Sequence, residues 1–147
     1  MSLPSDDHSE VELQLTESAG ITPQLSSDVT IERIREMVEL FYSRTQQDDL
    51  LGPIFTEHVA DWGAHYERMT RFWSSATMRA GTYSGRPIEA HRFGGFTELH
   101  FDRWIQLFTK TSGDVFGQAD ADIFVSLAKR MASTIAMRIG VGRLVYD

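Results

Sequence analysis

At 147 residues, 41% hydrophobic and 24% charged, the chain has the size and composition of one soluble domain, and no apolar run approaches the roughly 20 residues of a membrane span. The absence of cysteine removes disulfide frameworks and thiolate ligands, and together with an N-terminus that lacks the basic start and apolar centre of a secretory leader it makes the cytoplasm the expected location. Of the net charge of −7, the stretch 1–28 carries −6 through Asp6, Asp7, Glu10, Glu12, Glu17 and Asp28, and the 14 basic and 15 acidic residues beyond it leave no basic face for nucleic acid or an anionic membrane.

The chain divides into an acidic, largely flexible arm over 1–28, rich in Ser and Pro, and one domain over 29–147. Thr30 is placed to cap a first helix with Glu32 in its first turn and an apolar stripe of Ile34, Met37, Val38, Phe41 and Tyr42. That helix fades in Gln46-Gln47-Asp48-Asp49, and Leu51-Gly52-Pro53 predicts a turn before Ile54-Phe55 returns to the interior. From about Val59 to Met78 the pattern is helical again, with Trp62, His65, Tyr66, Met69, Phe72, Trp73 and Ala76 on one face. Gly81 to Pro87 breaks this helix, Ile88-Glu89-Ala90-His91 opens a short one, and Gly94-Gly95 follows as a second breaker. Thr97 reads as the next cap, with Phe96 and Phe101 set to form a hydrophobic staple and Phe101, Trp104, Ile105 and Phe108 as the stripe. Ser112-Gly113 is expected to end that helix. Asp120 or Asp122 opens the last one, with Phe124, Leu127, Ala128, Met131 and Ile135 inward and Gly140 and Gly142 as the stop. No strand pattern and no internal repeat interrupts the series, so the domain is expected to be all helical.

The chain has no glycine-rich phosphate loop, no HExxH, no GxSxG and no cysteine nucleophile. Histidines and aromatics remain. His8 and His58 are assigned to solvent, and His100 to the polar side of its helix. His65 and His91 differ: each is either a hydrogen-bonded core residue or a ligand, and they bracket a band rich in Phe and Trp. Phe41, Phe55, Phe72, Trp73, Phe93, Trp104 and Phe108 form an aromatic surplus that suits a flat apolar ligand such as haem, although such stripes also build ordinary cores. A cofactor-free helical interaction module, with both histidines in the core, is the alternative. A non-haem metal between them lacks a carboxylate at helical spacing on the same face.

Leu40-Phe41-Tyr42, Leu51-Gly52-Pro53-Ile54-Phe55, Trp62-Gly63-Ala64-His65 with Phe72-Trp73, the string from Tyr83 to His91 and the string from Phe101 to Phe108 together resemble the third group of truncated haemoglobins, in that family's order, from about Val29 to Ile139. The resemblance implies an all-α truncated globin fold, two helix pairs stacked two over two around haem b. It implies that His91 ligates the iron, that Tyr42, His65 and Trp104 face the bound gas, and that Phe55 sits at the haem edge with Phe72 and Trp73 as walls. Phe41 and Phe93 belong to the same pocket, and Arg86 and Arg92 are candidates for the haem propionates by charge and nearness to His91. The departure from the family's pattern lies between His91 and Trp104, where Gly94-Gly95 stands in place of a proline-rich turn. The implied ligands are dioxygen, nitric oxide and carbon monoxide, in a carrier, a sensor, or an enzyme that draws electrons from a reductase to remove nitric oxide or peroxide.

Overall fold

The computed structural model describes residues 24–78, His91 and 94–144. Every regular element among them is a helix: α1 (Ile31–Gln47), α2 (Leu51–His58), α3 (Trp62–Met78), α4 (Glu98–Val115) and α5 (Gln118–Arg138). The arm over 1–23, the break over 79–90 and the positions of Arg86, Arg92 and Phe93 lie outside the described residues. No helix among the described residues is long and apolar enough to cross a membrane.

The caps explain where the helices begin and end. Thr30 is extended and its hydroxyl accepts the Arg33 N–H at 3.1 Å, which starts α1 as expected. Asp61 does the same for α3, accepting the Ala64 N–H on Oδ1 at 3.1 Å and the His65 N–H on its carbonyl at 3.0 Å. The helix therefore begins at Trp62, three residues later than the apolar pattern implied. At the far end of α5, Gly140 takes a φ of 88°, while the Val141 N–H reaches back to the Ala136 carbonyl at 2.8 Å and the Gly140 N–H to that of Met137 at 3.3 Å. This paired closure satisfies two carbonyls that the helix end would otherwise leave open.

Two expectations fail for physical reasons. The run from Leu51 to His58 is a helix rather than a turn. Asp48 folds back so that Oδ2 accepts the Leu50 and Leu51 N–H groups at 3.1 and 3.0 Å, and Pro53 falls in the first turn, where its missing N–H costs nothing. Gly52 is required there by space: a Cβ on it would lie 2.7 Å from the Gln46 carbonyl oxygen. Ser112-Gly113 likewise does not end α4, which continues to Val115. One glycine costs a helix only about 1 kcal/mol, and the flanking Thr111 and Ser112 are fully buried, the Ser112 hydroxyl donating to the Met37 sulfur at 3.6 Å.

The helices form two pairs. α1 packs on α3, and α4 runs back along α5 through the two-residue link Phe116–Gly117; α1 also packs on α4 and on α2. Phe41, Phe108 and Phe124 are the largest fully buried side chains of the shared core. The Trp73 ring stacks on Phe108 at 4.8 Å and approaches Phe124 at 5.8 Å, joining α3 to both members of the other pair. Arg44 braces α1 to α4 through the Thr111 hydroxyl at 3.1 Å and the Asp114 carboxylate at 2.7 Å. Residues 24–29 are also tied in: the Ser26 N–H and hydroxyl donate to the buried Asp120 carboxylate at 2.9 and 2.6 Å, and Val29 enters the core.

Candidate haem pocket

Periodicity on α1 turns Phe41 and Tyr42 inward, and the opening turns of α3 bring Trp62, His65 and Tyr66 against them. The Tyr42 ring meets His65 edge to face at 4.6 Å, Trp62 at 5.9 Å and Phe55 of α2 at 6.0 Å. The His65 ring also stands at 90° to Trp62. In this setting His65 Nε2 is buried with no hydrogen-bond partner among the described residues, while Nδ1 lies 3.5 Å from the Arg68 guanidinium. Burial, then the positive charge of Arg68, then that of His91, push the His65 pKa down to about 4, so the ring is neutral at physiological pH.

Beside this corner, a cavity of about 370 Å³, its open mouth included, is lined by Leu51, Phe55, His91, Phe96, His100, Phe101, Trp104, Met131, Ala132 and Ile135. Its wall is apolar and aromatic except for two imidazoles and one indole, the composition of a site for a flat, largely apolar ligand. α4 supplies His100, Phe101 and Trp104, α5 supplies Met131, Ala132 and Ile135, and α2 supplies Leu51 and Phe55. Phe96 and Phe101 close the staple at 5.8 Å, and the His91 ring lies 5.3 Å from Phe96. The Trp104 ring stacks on Phe108 with 2° between planes and meets Phe41 edge to face at 5.3 Å, which fixes the indole between core and cavity.

Of the residues singled out from the sequence, His91, Phe55 and Trp104 share the cavity wall. Tyr42 stands behind Phe55, and His65 packs on Tyr42. Phe41, Phe72 and Trp73 are within 3% of complete burial and pack into the core. His100 is the residue that the sequence misplaced. Periodicity puts it on the polar side of α4, yet in the first turn its Nδ1 reaches back to the Thr97 N–H at 3.1 Å and lies 2.9 Å from the Thr97 hydroxyl, and this folds the ring toward the cavity. The signal was available, since a side chain three residues after a Thr cap is the one that closes a capping box.

The fit to haem rests on two features of this chain: a buried imidazole nitrogen without a partner, and an aromatic cavity with a second imidazole in its wall. Among the described residues, no cluster of three His, Asp, Glu or Cys side chains offers a ligand set for a bare metal ion.

No protein-family model matches the chain. Over 107 residues it is 27% identical to a group 3 truncated hemoglobin of Campylobacter jejuni, an overlap that spans 69% of this chain and 84% of the relative. The crystal structure of the group III truncated hemoglobin from Campylobacter jejuni superimposes with a TM-score of 0.73 at 24% identity, covering 80% of this chain and 95% of that one.

Proposed function

From the truncated-haemoglobin fold of this chain and its sequence likeness to a group 3 truncated hemoglobin, we propose that it is a protein of that kind, holding haem b through His91 and binding diatomic gases on the side of Tyr42, His65 and Trp104. The observation that carries the reading is His65 Nε2, a buried polar atom whose unmet hydrogen bond costs about 1–3 kcal/mol unless something in the pocket meets it. When bound, the haem supplies an iron with an open coordination position for dioxygen, nitric oxide or carbon monoxide.

The protein's own residues do the rest. A neutral His91 imidazole offers its lone pair from the cavity wall, and the second nitrogen, hydrogen bonded in turn, sets how strongly it donates. On the other side the Tyr42 hydroxyl, the Trp104 indole N–H and the neutral His65 ring are polar groups held by packed aromatics, so they are oriented before a ligand arrives. Such donors favour a ligand that gathers negative charge, which selects dioxygen over carbon monoxide. Phe55 and Phe96, whose rings lie 6.3 Å apart, keep water from the wall between them. Arg86 and Arg92, on either side of His91 in the sequence, are assigned to the propionates.

Visible absorption tests the reading. The purified chain, or the chain titrated with hemin, should show a one-to-one complex with an intense band near that of other haem proteins, and His91→Ala should abolish stable retention. A colourless chain that also refuses hemin would return both histidines to a cofactor-free helical module. Turnover of nitric oxide or peroxide by the reduced protein with an electron donor separates an enzyme from a carrier or sensor; rates no higher than those of free haem remove the enzyme.

A further inference from the structure

We propose that His100 receives a carboxylate of the bound haem through an N–H fixed on Nε2, an inference that rests on the haem reading. The cavity wall contains two imidazoles, His91 and His100. The Thr97 N–H, an obligatory donor, reaches His100 Nδ1 at 3.1 Å, so that nitrogen must present its lone pair and the proton of the neutral ring stands on Nε2. A protonated nitrogen cannot ligate iron. Freeing Nε2 for that purpose would move its proton to Nδ1 and break the bond that caps α4. The choice of ligand between the two cavity imidazoles therefore falls on His91, and His100 is left as a donor.

Its position suits an anionic edge. The inner wall, Leu51, Phe101, Trp104 and Ile135, is apolar apart from the indole, whereas His100 is half-buried in the first turn of α4 beside Leu99, which is exposed. Among the described residues the cavity wall has no Lys or Arg, and His100 Nε2 makes no hydrogen bond of its own. A flat ligand with an apolar body and carboxylates on one edge is best served by a donor at such a rim.

The test compares haem loss for protohaem and for its dimethyl ester, which has the same ring and iron and no carboxylate. Transfer to an excess of a haem-scavenging apoprotein gives the rate, for the wild-type chain, His100→Leu and His100→Glu. Losing the cap alters retention of both forms alike, and His100→Glu keeps an acceptor for the Thr97 N–H. In both variants the ratio of protohaem loss to ester loss should rise about tenfold. A ratio unchanged from wild type in His100→Leu, or in His100→Glu where the leucine variant does not fold, overturns the subsite and leaves the haem reading standing. A wild-type chain that takes up neither form overturns both.

Discussion

The Tyr42 and His65 rings meet edge to face with centroids 4.6 Å apart and planes at 77°, so one phenol and one imidazole from different helices share a single desolvated corner. Burial, helped by the charges of Arg68 and His91, holds the His65 pKa at about 4, below the 6.5 of an exposed ring. Between pH 6.5 and about 4 the unfolded chain binds a proton there that the folded chain refuses. Stability contributed by the neutral ring is thus intact above pH 6.5 and is lost as pH falls toward 4, by on the order of 1–3 kcal/mol. Urea unfolding of the haem-free chain at pH 7 and pH 4.5 should show a smaller acid loss for His65→Phe than for wild type. Equal losses would place the acid sensitivity elsewhere.

The same corner predicts ligand kinetics. Removing the Tyr42 hydroxyl deletes one donor without disturbing the ring that packs on His65, Trp62 and Phe55. Dioxygen release from Tyr42→Phe should accelerate about tenfold or more, as expected for one hydrogen bond to a charge-bearing group, while carbon monoxide release changes little. Stopped-flow displacement measures both, and an unchanged dioxygen off-rate removes Tyr42 from the gas-binding side.

How far the sequence could be read depends on whether local or distant atoms decide a residue's place. Thr30, Thr97 and Gly140 act within one turn, so the boundaries they set were legible, and the three-and-four spacing that put Tyr42 on α1 and His65 on α3 was enough to turn both inward. α2 was not legible, because Leu51-Gly52-Pro53 looks like a breaker until Asp48 is seen to supply the missing cap and α1 to press on Gly52. Nor was the continuation of α4 through Gly113, which depends on the packing of Ser112 against Met37. His100 was misread because helical period assigns a face but does not anticipate a first-turn side chain that bends back to its cap. The pairing of Ser26 with Asp120, 94 positions apart, has no local signal at all.

Gly52 offers a direct test of the contact between α1 and α2. A methyl group there would stand 2.7 Å from the Gln46 carbonyl oxygen, a backbone atom that cannot swing aside. In an ordinary helix Gly→Ala is stabilising by about 1 kcal/mol. Here the sign should reverse, with Gly52→Ala losing on the order of 1–3 kcal/mol in urea unfolding as α2 is pushed off α1. Because α2 carries Leu51 and Phe55 into the cavity wall, hemin release should accelerate in parallel. A variant as stable as wild type would show that the two helices separate at little cost.

Asp48 carries the same junction electrostatically. Its carboxylate accepts the Leu50 and Leu51 N–H groups on one oxygen and the Arg103 guanidinium on the other, at 2.6 and 2.7 Å, with only 6% of its side chain exposed. Burial alone would raise its pKa, but the Leu51 N–H and the hydrogen bond and charge of Arg103 outweigh it and the value is lowered. A depressed carboxylate pKa stabilises the fold at pH values above the ordinary value near 4, and that contribution disappears as pH falls through the folded-state value. Asp48→Asn keeps the shape and an acceptor for the backbone but removes the charge opposite Arg103. It should cost about 1–2 kcal/mol at pH 7, a cost that shrinks as pH falls and the wild-type carboxyl takes up its proton. Arg103→Met in the same background should add little, because the asparagine has already removed the partner; additive losses from the two substitutions would show that Arg103 stabilises α4 by some other contact.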